Sequence, residues 1–141
     1  MDNSKILITE KLGKIKLYDL NNNTLVNIPH NLKVYSKGQG GLLDIICEDN
    51  IIWVSYSEKL NNSLSTTSIA KAKFKKQKLI FKNIFQSTPP INSQYHYGSR
   101  LAIKDRYLYA TIGERGKGMI AQDPSNAIGS IIRINKDGTI P

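Results

Sequence analysis

The stretch Gln94-Tyr95-His96-Tyr97-Gly98-Ser99-Arg100 sets an imidazole between two phenols and follows it with a glycine and a cation. An imidazole has an unperturbed pKa of about 6.5, so His96 could act as a general base near neutral pH. A loop that ends in glycine ahead of a rigid strand can project such a side chain into a pocket. Taken by itself, the ring reads first as a partly buried histidine stacked between Tyr95 and Tyr97. Gln39 is the second candidate. Gly38, Gly40 and Gly41 around it permit positive φ and close approach, so its amide could be aimed at a ligand. An ordinary glycine-rich turn is the other reading. Arg100 could orient its loop through backbone carbonyls or a carboxylate, or meet an anion, and stands with Tyr95 as a supporting residue. Gln122 and Asp123, just before Pro124, suit the fixing of a turn rather than reaction. His30 has no such context and reads as a loop residue. Cys47 lies in the apolar run LLDIICED, which suits a buried, inert thiol, and a single cysteine excludes an intrachain disulfide or a CxxC metal site.

These residues must be held by a fold that 141 residues can build as one ordinary domain. Twenty Lys and Arg against eleven Asp and Glu give a formal charge of +9, a balance that would suit nucleic acid, anionic lipid or an acidic small molecule. The lysines are scattered, however, and the densest run, KAKFKKQK, alternates with apolar residues as the solvated face of a strand would. With no nucleic-acid motif and no compact basic patch, no nucleic-acid partner is expected. No run of about 18 apolar residues exists, so no membrane span is expected. The opening MDNSKILITE has an acid at position 2 and a strand-like pattern from Lys5, unlike a signal peptide, and the chain reads as soluble.

Helical periodicity is hard to find; short β-rich runs bounded by Gly, Asn, Asp or Pro recur instead. KILITE and GKIKLYDL pair across a turn marked by Gly13, DIICED and IIWVSYSE around Asn50, TSIAKAKF and KLIFKNIF around Lys75-Lys76-Gln77, and RLAI and YLYATIGE around Lys104-Asp105-Arg106. SIIRINKDGTIP closes the chain. DNSKILITE, DNIIWVSYSE and DRYLYATIGE share a turn aspartate, a β-rich run and a glutamate, starting at Asp2, Asp49 and Asp105, intervals of 47 and 56 residues. Self-similarity at roughly 40 to 50 residues in an all-β chain predicts propeller blades built of antiparallel meanders. A closed ring needs about four to eight blades, and this length holds two to three. The expectation is therefore an all-β, partial β-propeller, with residues 1–141 as an incomplete domain whose first repeat begins mid-blade.

Three segments, GQGGLLDI (38–45), HYGSRLAI (96–103) and TIGERGKGMIAQDPSNAIGSIIRINKDGTIP (111–141), resemble the soluble quinoprotein glucose/sorbosone dehydrogenase family, and ILITEKLGKIKLYDL fits its first blade. The resemblance runs through nearly the whole chain and implies a six-bladed propeller of which these are N-terminal blades. It implies that His96 is the general base in oxidation of an aldose at its anomeric carbon to a lactone, and that Gln39 contacts substrate hydroxyls. It implies PQQ and Ca²⁺ as cofactors, with their ligands mostly in later blades and none of the metal ligands here. An external electron acceptor, a periplasmic or secreted location and room for a homodimer of the complete protein follow from the same likeness. The isolated 141 residues would then be inactive. The glucose dehydrogenase branch carries an aspartate before the histidine where this chain has Tyr95, so the imidazole is expected to lack that charged partner. Tyr97 and the Gly-Ser-Arg after it fit the aldose sugar dehydrogenase branch better. Related propellers that keep the scaffold and lose the cofactor leave a non-catalytic binding module as the alternative.

Overall fold

The computed structural model describes residues 4–75 and 78–141. Among these, ten strands form three antiparallel sheets in chain order. The first sheet holds β1 (Lys5–Thr9), β2 (Ile15–Asp19) and β3 (Thr24–Ile28); the second, β4 (Leu42–Glu48), β5 (Ile51–Lys59), β6 (Ser65–Lys73) and β7 (Lys82–Gln86); the third, β8 (Gly98–Lys104), β9 (Tyr107–Ile112) and β10 (Ile131–Asn135). Each sheet is a simple meander. The leading strands lie side by side, with β4 against both β1 and β8, as blades arranged around an axis do. The fold is a partial β-propeller of three blades.

Turn chemistry explains the hairpins. Asp49 and Asn50 take φ of 50° and 61°, and Asp105 takes 55°, the left-handed conformations that Asp and Asn tolerate in tight turns. Gly13 adopts φ +100° between β1 and β2 and closes that turn on Glu10. The sequence repeat is only partly structural. Its members at Asp49 and Asp105 lead into β5 and β9, each the second strand of its blade, whereas KILITE is β1, the leading strand of the first. Asp2, and Lys76 and Gln77 of the expected β6–β7 turn, lie outside the described residues. The strand β3 and the short 3₁₀ helix at Gly118–Gln122 have no counterpart in the sequence expectation. Leu25 and Val26 of β3 are both exposed, so the strand carries no alternating apolar signal.

The middle blade is buried on both faces, which is why IIWV reads as a continuous apolar run. Ile52, Val54 and Tyr56 pack with Ile15, Leu17 and Ile28 of the first blade. Trp53 and Ile69 pack with Leu101, Leu108, Ala110 and Ile134 of the third. The Trp53 indole N–H donates to the Lys136 carbonyl at 3.0 Å, adding a directional tie across the same seam. Burial raises the Tyr56 phenol to about 12, with the Glu58 charge adding to the effect. Cys47 is half-buried on β4 rather than fully enclosed, because it lies on an axis-side strand. Burial still pushes its thiol up.

Two measurements test this packing. Ile69→Ala should cost about 2–5 kcal/mol in denaturant unfolding, since it opens a cavity at the seam between blades; a cost near zero would mean the seam is loose. Because thiolate is the reactive form, Cys47 should be alkylated by iodoacetamide at pH 8 more slowly than a free cysteine. A rate equal to that of free thiol would contradict the raised thiol.

Candidate active site

Residues 87–97 run from β7 to β8 and bring His96 to the leading end of the third blade. His96 takes φ +47°, a left-handed conformation that a β-carbon disfavours, so its neighbours must hold it there. They do so on every side. The Gln39 side-chain oxygen accepts from the His96 backbone N–H at 2.8 Å, and the Gln39 N–H donates to the Gln94 carbonyl at 2.9 Å. The His96 carbonyl accepts from the Arg115 N–H at 3.2 Å. Gly113 fits only because it lacks a side chain: a Cβ there would stand 2.0 Å from the His96 carbonyl oxygen.

The imidazole Nδ1 is hydrogen-bonded to the Glu114 carboxylate oxygen Oε1. That same oxygen accepts the Gly116 N–H at 3.1 Å. The bond from His96, with help from backbone N–H groups that include Gly116, holds the Glu114 carboxyl below its usual range against the opposing effect of burial. An ionised carboxylate only accepts, so Nδ1 carries a proton, and in the neutral ring Nε2 is the nitrogen that keeps its lone pair. The His96 side chain is half exposed, and among the described residues no group bonds to Nε2. The arrangement is an oriented imidazole with its basic nitrogen free toward solvent.

This corrects the expectation that Tyr95 deprives the ring of a charged partner. The carboxylate comes from Glu114, 18 residues further on, instead of from the preceding position. Glu114 was within reach of sequence reading, as the acid just after the β9 run in TIGERG: continuing the β8–β9 hairpin register past Gly98 and Ile112 sets it opposite His96. Tyr95 meets the His96 ring edge-on, with centroids 6.3 Å apart, and is largely exposed, whereas Tyr97 is buried. The histidine is thus not sandwiched between two rings.

The structure brings Gln39, Tyr95 and His96 together and ties Arg100 elsewhere. The Arg100 guanidinium, on an 80% exposed side chain, donates to Asp44 Oδ1 at 3.1 Å, and Asp44 Oδ2 accepts the Leu101 N–H at 2.7 Å. A register shift between Leu42 and Asp44 in β4 turns the aspartate out to meet β8. Arg100 therefore joins two axis-side strands through a carboxylate, one of the roles its position allowed. Asp123 accepts from the Ser125 N–H at 2.9 Å and from its hydroxyl at 2.6 Å, as a turn-fixing acid does, and these bonds lower its carboxyl. His30 is a structural tie: Nε2 donates to the Gly13 carbonyl at 2.6 Å while Nδ1 accepts from the Leu32 N–H.

No group of three or more His, Cys, Asp and Glu is gathered as a metal site among the described residues. Near His96, Arg100 is engaged by Asp44 and Arg115 is fully buried on protein oxygens.

An all-β, partial propeller presenting a loop-borne, carboxylate-oriented histidine at one end of its blades defines the class of protein. The chain belongs to the glucose / sorbosone dehydrogenase family, whose model matches residues 1–141. It is 27% identical over 149 residues to the aldose sugar dehydrogenase YliI of Escherichia coli (strain K12), covering 99% of this chain and 40% of that protein. The crystal structure of the soluble aldose sugar dehydrogenase from Escherichia coli in the apo-form superimposes with a TM-score of 0.91 at 28% identity, over 99% of this chain and 43% of that one. A glucose dehydrogenase structure gives 0.93 at 26%, over all of this chain and 47% of that one. The chain spans less than half the length of each.

Gly113→Ala should destabilise the fold by about 1–3 kcal/mol, because the backbone carbonyl it meets cannot move without carrying His96 with it. An unfolding midpoint equal to that of the parent would show that the loop is free to yield.

Proposed function

We propose that these residues are the N-terminal blades of a six-bladed PQQ-dependent aldose dehydrogenase, with His96 as general base. The observation that carries the reading is the Nδ1 bond to Glu114, which leaves Nε2 as a free acceptor on an exposed, oriented ring. In this reading Nε2 takes the proton from the C1 hydroxyl of an aldose while a hydride leaves C1, and the product is the lactone. The imidazolium that forms is stabilised by the Glu114 carboxylate, which stays ionised because its own value is lowered. Gln39 spends its side-chain oxygen on the His96 N–H, so its amide N–H₂ remains the part able to meet a sugar hydroxyl. Tyr95, largely exposed beside the ring, offers an apolar face and a hydroxyl at the same place.

The electrons must pass to an acceptor that these residues do not supply. In this proposal PQQ is that acceptor, with Ca²⁺ beside it; both are held by parts of the complete protein beyond these blades, and the reduced quinone is reoxidised by an external acceptor. A periplasmic or secreted location and a homodimer of the complete protein belong to the same proposal. No helix among the described residues is long and apolar enough to cross a membrane.

The test is dye-linked oxidation of aldoses by the complete protein with PQQ and Ca²⁺ added. Sugar-dependent dye reduction is expected in the parent. His96→Ala should lose roughly two orders of magnitude or more, the scale of general-base removal. Glu114→Gln should lose less, since it keeps the shape of the partner and removes only its charge. A complete protein that binds no PQQ and oxidises no sugar would overturn the reading and leave a non-catalytic binding propeller.

A further inference from the structure

Arg115 follows Glu114 and is fully buried. No carboxylate pairs with it among the described residues. Its guanidinium instead spreads over protein oxygens: Nε donates to the Tyr95 carbonyl at 3.0 Å, Nη1 to the Ser65 carbonyl at 3.0 Å, and Nη2 to Ser65 Oγ at 3.0 Å and the Ser93 carbonyl at 2.6 Å. The plane lies over the Tyr97 ring, 3.7 Å from its centroid. The Tyr97 hydroxyl closes the set on Ser65 Oγ at 2.8 Å and the Ser93 carbonyl at 3.1 Å.

A buried, unpaired cation is expensive, and burial duly pulls the Arg115 guanidinium down from its usual value. What it holds accounts for its presence. Tyr95 and Tyr97 are the residues on either side of His96, and the Arg115 N–H takes the His96 carbonyl itself. One side chain thus grips the backbone before His96 and the ring after it, while Glu114 grips the imidazole. A planar fork makes these four bonds from three separate nitrogens in fixed directions, whereas an ammonium has three donors on a single nitrogen and no flat face to lay on Tyr97.

We infer that Arg115 is a positioning residue that fixes the orientation of His96, an inference that rests on His96 being the base. It touches neither sugar nor cofactor in this account. It holds a left-handed residue in place and keeps Nδ1 within reach of Glu114.

The experiment compares the complete protein with its Arg115→Lys variant, which keeps the charge and loses the fork. Three readouts are taken: thermal stability, kcat and KM for an aldose in the dye-linked assay, and the His96 Nδ1–H signal in ¹H–¹⁵N spectra, assigned with His96→Ala. The variant should fold, with kcat per folded molecule reduced about 10- to 100-fold, the scale of a small misplacement of a catalytic group. KM should change by less than about threefold, and the Nδ1–H signal, sharp and slow to exchange in the parent, should broaden or vanish. An unchanged kcat and an unchanged signal in the folded variant would overturn the inference and leave Arg115 a packing residue. If the parent oxidises no sugar, the proposed function fails on its own, and the Nδ1–H signal still decides whether Arg115 orients His96. Should Arg115→Lys not fold, Ser65→Ala removes one of its acceptors, and the same readouts decide by the same criteria with smaller changes.

Discussion

The backbone between Ser87 and Ser99 has few ladder partners of its own, and although much of it is exposed, Ser87, Ile91, Tyr97 and Ser99 are buried. Its carbonyls must find donors there, because a buried acceptor left unpaired costs about 1–3 kcal/mol. Side chains of the middle blade supply them. Thr66 donates to the Ser87 carbonyl, Ser65 to that of Ser93, Thr67 to that of Tyr97 and Ser55 to that of Ser99. Arg115 adds donors at Ser93 and Tyr95. The loop that carries His96 is held by hydroxyls of a neighbouring blade, and the geometry of the site follows from that.

The same end of the middle blade holds the Gln39 loop. The Gly41 N–H donates to Ser57 Oγ at 2.7 Å, the Ser57 hydroxyl donates to the Tyr35 carbonyl, and the Tyr35 N–H donates to the Ser57 carbonyl at 2.9 Å. Gly40 is needed there, since a Cβ would stand 2.6 Å from the Tyr35 carbonyl oxygen. Two loops from different blades are thus fixed on one support, which is how Gln39 comes to meet His96 across 57 residues of sequence. The middle blade divides its work along its length. Ile52, Trp53, Val54 and Ile69 exclude water between blades, while Ser55, Ser57, Ser65, Thr66 and Thr67 bury hydroxyls that bind the loops above.

Hydroxyls suit that second task because each can donate to a carbonyl while its small side chain fits between closely packed sheets. Glu58, near the same end, gathers the Ser68 hydroxyl and the amides of Asn83 and Gln86 on one oxygen, which ties β5, β6 and β7 together where the loops depart. The rigid end of the blade and the functional end are the same end, so the orientation of the imidazole is set by packed strands rather than by the loop alone.

The sequence by itself determined what depends on neighbours in the chain. Hairpins were legible because Asp49-Asn50 and Asp105 announce turns, and the β-rich runs between them have strand length. His96 and Gln39 stood out through their glycine-rich surroundings, and the family through motifs in order. The third strand of the first blade was not legible, because its adjacent Leu25 and Val26 are exposed and leave no alternation to read. Only the folded structure showed which side chain orients the base. Glu114 meets His96 across 18 residues, where the β8–β9 hairpin register runs on past Gly98 and Ile112 within one blade, and Asp44 meets Arg100 across 56, a pairing that exists only once two blades stand side by side. No periodicity within a single strand encodes such contacts: the first is fixed by the register of a hairpin and the second by how neighbouring sheets pack. Even the serines of β5 and β6 read as ordinary strand residues until the carbonyls they bind are folded against them.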